Sequence, residues 1–158
     1  MTYVTHTNLW RETAIEFAKD FGRTIDYMET RQDIDREKLA FCGFSMGASE
    51  GPRLAALEPR VKTCVLLSGG AYERQWLPEV DPFNFATRVR MPVLMVNGKY
   101  DVVFPLDGSQ IPLFKALGTA EKDKRHIVLE AGHGLMNQEV VRDILGWFDR
   151  YLGPVRTQ

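Results

Sequence analysis

The sequence predicts an α/β fold, a parallel sheet of about four strands flanked by helices, and three observations carry that prediction. Four short, strongly apolar runs punctuate the chain: LAFCGF, VKTCVLLSG, PVLMVNG and KRHIVLEAG. Stretches with helical spacing or helix-stop residues separate them. Helix and strand alternate from the first helix to the last, and that alternation means a parallel sheet.

Each element has its own signal. From Asn8 to about Thr30, Leu9, Ile15, Phe17, Ala18, Phe21, Ile25 and Met28 recur at spacings of three and four, with Thr7 or Asn8 as cap. DIDREK, 33–38, reads as a loop. LAFCGF, 39–44, is apolar throughout, as expected of a strand buried on both faces. ASEGPRLAALEP reads as a helix stopped by Pro59, with Pro52 tolerated near its first turn. VKTCVLLSG, 61–69, is the second strand. The irregular segment up to Arg90 contains Pro78 and Pro82 and has room for a short helix. PVLMVNG, 92–98, is the third strand, Leu106–Leu117 a helix despite Pro112, and KRHIVLEAGHG the fourth strand and its loop. Asn137–Leu152 closes the domain as an amphipathic helix.

The totals exclude several classes. The 158 residues suit one domain, with 44% hydrophobic and 26% charged residues. A formal net charge of −1 argues against a nucleic-acid partner. No run has the length of a membrane span. MTYVTHTNLWRE lacks the basic and apolar regions of a signal peptide, so a cytoplasmic location is expected. Cys42 and Cys64 lie inside apolar runs without C-x-x-C spacing and read as buried free thiols.

In a parallel sheet the chemistry sits at the carboxyl ends of the strands. Ser45 follows the first strand within Gly43-Phe44-Ser45-Met46-Gly47, Asp101 follows the third, and His133 follows the fourth. A serine hydroxyl needs a base to take its proton. Histidine titrates near neutrality and can take and return that proton, while a carboxylate holds the imidazole in the useful tautomer. The two glycines make room for a tight strand-to-helix turn, and the Met46 backbone N–H then faces a developing oxyanion. Singly each residue is ordinary turn chemistry; together, in the order Ser, Asp, His, each after a separate strand, they are specific. His6 in the N-terminal tail, His126 within a strand, Asp107, Asp81, Asp143 and Ser68 are the rivals.

EFAKDFGRTIDYMETRQDIDREKLAFCGFSMGA, VLMVNGKYDVVFP and VLEAGHG resemble the α/β-hydrolase superfamily, in its dienelactone-hydrolase and acyl-peptidase-like serine hydrolase branch. The resemblance implies Ser45 as nucleophile, Asp101 as acid partner, His133 as general base and the Met46 N–H as one oxyanion donor. It implies acyl transfer to water, the hydrolysis of an ester rather than an amide, with no metal or organic cofactor. Family members carry further strands ahead of the elbow strand; here one helix precedes it, so the chain resembles only their C-terminal half, a truncated α/β-hydrolase fold. Residues 1–158 read as a single partial domain with a short cap-like segment at about 71–87. The segment that normally gives the second oxyanion donor is not found, and that donor is left unassigned. The edge of strand 39–44 would lack a neighbour, and a homo-oligomer covering it is expected. The leading expectation is a serine carboxylesterase for short-chain esters. The alternatives are a catalytically impaired hydrolase-fold binding module or fragment, and an acyl-peptide hydrolase.

Overall fold

The computed structural model describes residues 7–72 and 76–154; His6 lies outside the described residues. The order is α1 (Asn8–Thr30), β1 (Ala40–Phe44), α2 (Met46–Leu57), β2 (Thr63–Leu67), α3 (Pro82–Ala86), β3 (Val93–Gly98), α4 (Ile111–Ala116), β4 (Lys124–Leu129) and α5 (Gln138–Leu152). The four strands form one parallel sheet in the spatial order β1-β2-β3-β4. Among the described residues no helix is long and apolar enough to cross a membrane.

The pleat sorts the strand residues onto two faces. Cys64, Leu66, Val93 and Met95 point into a core shared with α1, α2, α3 and α4. Val65, Leu67, Leu94 and Val96 point the other way, onto Val140, Ile144 and Trp147 of α5. The Trp147 indole N–H donates to Thr63 Oγ1 at 2.8 Å, fixing α5 on the sheet. β2 and β3 are buried on both faces, as their composition requires.

β1 is different, and the expectation that it is buried on both faces is corrected. Phe41 and Gly43 face the four-helix side, but Ala40, Cys42 and Phe44 are exposed. α5 packs across β2 and β3 and leaves this part of the sheet uncovered. Of the two thiols expected to be buried, only Cys64 is; Cys42 is exposed for the same reason.

Thr7 caps α1, its hydroxyl accepting from the Trp10 N–H at 3.2 Å. Only part of the expected apolar stripe of α1 is used: Phe21, Ile25 and Met28 join the core, whereas Leu9, Ile15 and Phe17 are exposed. α2 begins earlier than the sequence implies, directly after Ser45, so Pro52 sits in the helix interior rather than its first turn. Leu106–Gln110 forms a π-type turn before α4, and Pro112 falls in the first turn of α4, where its missing N–H costs nothing.

Candidate active site

The sequence places Ser45, Asp101 and His133 on three separate loops, and the fold brings them into one relay. His133 Nε2 lies 2.8 Å from Ser45 Oγ, and His133 Nδ1 lies 2.9 Å from Asp101 Oδ2. With the Nδ1 proton donated to the carboxylate, Nε2 is left as the acceptor for the serine hydroxyl.

Ser45 occupies the turn between β1 and α2 at φ 53° and ψ −112°. Backbone in that region is strained for a residue with a Cβ, at about 1–3 kcal/mol. The strain is held by hydrogen bonds: the Ser45 N–H donates to the Leu67 carbonyl at 2.8 Å, and its own carbonyl accepts from the Ser49 N–H at 3.0 Å. The side chain makes no helix cap and turns instead toward His133. A Cβ on Gly43 would meet the Gly47 carbonyl group at 2.5 Å, so the strand end and the first helical turn touch backbone to backbone. Gly47 itself would accept a Cβ with nothing within 4 Å. The expectation that both glycines avoid a collision therefore holds for Gly43 alone. Met46 is the first residue of α2, and its N–H has no partner within the helix by position.

Asp101 is 3% exposed. Its Oδ1 accepts from the backbone N–H groups of Val103 at 2.8 Å and Phe104 at 3.1 Å, which leaves Oδ2 for His133. Gly98, at the end of β3, would carry a Cβ only 2.1 Å from the Gly132 carbonyl oxygen, so the loops bearing Asp101 and His133 are in backbone contact. The Tyr100 N–H donates to the Ala131 carbonyl at 2.9 Å and joins them further. The imidazole sits between Phe44 and Phe104, with ring centroids 5.4 and 6.0 Å away.

Among the described residues none of the rivals enters the relay. Asp107 is exposed within the π-type turn, Asp81 caps α3 by accepting from the Phe83 N–H, and Asp143 lies on α5. His126 Nε2 donates to Asn97 Oδ1 at 3.0 Å, and burial lowers its pKa. Ser68 has a role that its sequence context does not reveal. Fully buried and at φ 49°, it donates its hydroxyl to the His133 carbonyl at 2.7 Å and so anchors the loop that carries His133. A strand-end serine without glycines carries no sequence signal for this; the positive φ is visible only in the fold. Of the apolar residues near the loops, Trp76, Phe104 and Leu135 are packed inside, whereas Phe44, Met46, Tyr100, Val102 and Val103 form an exposed rim.

Comparison with known proteins fits this geometry. The sequence model of the PET hydrolase-like family (PETase) matches residues 11–155. The chain belongs to the PET hydrolase-like family. Among curated relatives of this family member, Cutinase 2 of Thermobifida cellulosilytica is 25% identical over 145 residues, covering 85% of this chain and 51% of that protein. A probable chloroplastic glutamyl endopeptidase of Arabidopsis thaliana is 28% identical over 148 residues, covering 81% of this chain and 15% of that protein. The chain thus spans about half the length of the cutinases it matches. A cold-adapted esterase from an Arctic intertidal metagenomic library superposes with a TM-score of 0.71 at 25% identity, over 84% of this chain and 57% of that one. A putative dienelactone hydrolase of Klebsiella pneumoniae superposes with a TM-score of 0.72 at 23% identity, over 87% of this chain and 62% of that one. The four-stranded parallel sheet and its helices are those of the α/β-hydrolase fold.

Proposed function

We propose that this PET hydrolase-like chain is a serine carboxylesterase that cleaves short-chain carboxylic esters through an acyl-enzyme on Ser45. The observation that carries the reading is the continuous relay Ser45–His133–Asp101, with the far carboxylate oxygen occupied by two backbone N–H groups. Ser45 Oγ attacks the ester carbonyl carbon as its proton passes to His133 Nε2. The Met46 N–H, at the positive end of α2, supports the oxyanion. Collapse breaks the C–O bond to the alcohol, which leaves with the proton from His133. Water then repeats the sequence in reverse and frees the acid. Names of relatives, cutinases and esterases, favour ester over amide. The exposed rim of Phe44, Met46 and Val103 favours small acyl groups over a buried long chain.

Phenylmethylsulfonyl fluoride tests the assignment without a mutation. The expected result is one adduct, located on Ser45 by peptide mass, and loss of p-nitrophenyl acetate hydrolysis in proportion to labelling. Hydrolysis that survives full labelling, or no labelling at all, would leave the relay as the frame of a binding module.

The bare flank of β1 supports a second copy as partner. Among the described strands β1 pairs only with β2, and Ala40, Cys42 and Phe44 are exposed beside the open edge. Such an edge is a template for another strand. A twofold pairing of β1 with β1 of a second copy would close it and bring the copy's surface beside Phe44. Sedimentation velocity at micromolar concentration is expected to give a dimer or larger species, and Cys42→Arg to shift it to monomer. A wild-type monomer at that concentration sinks the proposal.

A further inference from the structure

Gln110 is a fully buried amide outside the relay. Its Nε2 donates both protons, one to the Gly98 carbonyl at 2.8 Å and one to the Phe104 carbonyl at 2.7 Å. Those two carbonyls bracket the turn that carries Asp101. The turn needs a strap, because its tip is open to solvent: Val102 is 89% exposed and Tyr100 60%. Both ends of the strap bear on the carboxylate. Gly98 also accepts from the Asp101 N–H at 3.3 Å, and the Phe104 peptide N–H is one of the two donors on Asp101 Oδ1.

The chain goes out of its way to put this amide here. The π-type turn Leu106–Gln110 places the Gln110 N–H on the Pro105 carbonyl at 3.2 Å and directs the side chain under the turn. π-type turns of this kind recur at functional sites. Among the described residues Gln110 Oε1 has no hydrogen-bond partner, so the residue carries a desolvation cost that an apolar side chain would avoid. What offsets the cost is the pair of donors, which an apolar residue of the same size lacks.

We propose that Gln110 is a positioning residue for Asp101: its amide holds the acid turn closed and so sets the Asp101–His133 hydrogen bond. This rests on the reading of Asp101 as partner of the base. The test compares wild type, Gln110→Met, Gln110→Glu and Asp101→Asn. Three readouts are taken: p-nitrophenyl acetate kinetics, unfolding midpoint, and the titration of the His133 imidazole by NMR. Methionine keeps the length and removes both donors. Expected for Gln110→Met is a KM within about twofold of wild type and a kcat lower by on the order of a hundredfold, the usual effect of a small misplacement at a relay. The His133 titration is expected to move toward that of Asp101→Asn. In Gln110→Glu a protonated carboxyl can still donate to one carbonyl and an ionised one cannot. Its kcat relative to wild type is expected to fall as pH rises.

Wild-type kcat and an unmoved His133 titration in Gln110→Met overturn the proposal. So does a fall in kcat with an unmoved titration, which would mean a purely structural role. If Gln110→Met does not fold, the pH trend of Gln110→Glu decides, and a flat ratio to wild type overturns it. The His133 titration needs no turnover, so the strap is tested even where the esterase reading fails for want of Ser45-dependent hydrolysis.

Discussion

Ser45→Ala is expected to lower turnover of p-nitrophenyl acetate by about a millionfold, and Asp101→Asn by on the order of ten thousandfold, both at an unchanged unfolding midpoint. The first removes the hydroxyl oxygen that lies 2.8 Å from His133 Nε2. The second acts through the tautomer. The N–H groups of Val103 and Phe104 require an acceptor, so an asparagine would give them its oxygen and turn its NH₂ to His133 Nδ1. That nitrogen must then accept, the ring proton moves to Nε2, and the serine loses its base. Kinetics of the two variants against wild type, with midpoints from the same preparations, check the order. Wild-type turnover in Ser45→Ala would remove the relay from the chemistry altogether.

Arg53→Met is expected to cost about 3–5 kcal/mol of stability near neutral to alkaline pH, and clearly less in mild acid. Arg53 and Glu50 form an ion pair inside α2, with side chains 2% and 4% exposed, and Arg53 also donates to the Val80 carbonyl at 2.7 Å. Burial pushes the Glu50 carboxyl up to about 7, partly opposed by the Arg53 charge. Because the folded-state pKa is raised, the folded protein holds a proton that the unfolded chain releases between its ordinary value and about 7. The contribution of this group to stability therefore falls as pH rises through that window. Removing Arg53 raises the carboxyl further and leaves an unpaired buried charge at high pH; below the raised pKa the carboxyl is neutral and the loss shrinks. Urea unfolding at about pH 5.5 and about pH 8 measures the difference. An equal loss at both would show that Glu50 does not titrate there. Replacing both members, Glu50→Leu with Arg53→Met, should recover most of the stability, since the desolvation of both charges goes with them.

Much of the site was legible because chemistry and topology agree residue by residue. Ser45, Asp101 and His133 each follow an apolar run, and parallel crossovers put all such loops on one edge of the sheet. α1 and α5 were legible from spacing and caps. What escaped depends on tertiary neighbours. Glu50 and Arg53, three apart on a helix, have the pattern of a solvent-facing pair, and their burial comes from tertiary neighbours, among them the Val80 carbonyl that accepts from Arg53. LAFCGF has the composition of a doubly covered strand, yet α5 does not reach it. Ser68 and Gln110 hold the loops of the base and the acid through backbone carbonyls, and a carbonyl leaves no residue type to recognise.

The relay closes over a separation of 88 residues between Ser45 and His133, and 32 between Asp101 and His133. The Ser45 hydroxyl is therefore synthesised 88 residues ahead of the His133 imidazole, which follows the strand that the third crossover lays beside β3. Until the two meet, Ser45 is an ordinary alcohol with no imidazole to take its proton. After dilution from denaturant, the return of the Ser45–His133 contact would time the docking of the final strand and helix, as a clock separate from the Trp10–Trp76 packing that joins α1 to the segment before α3.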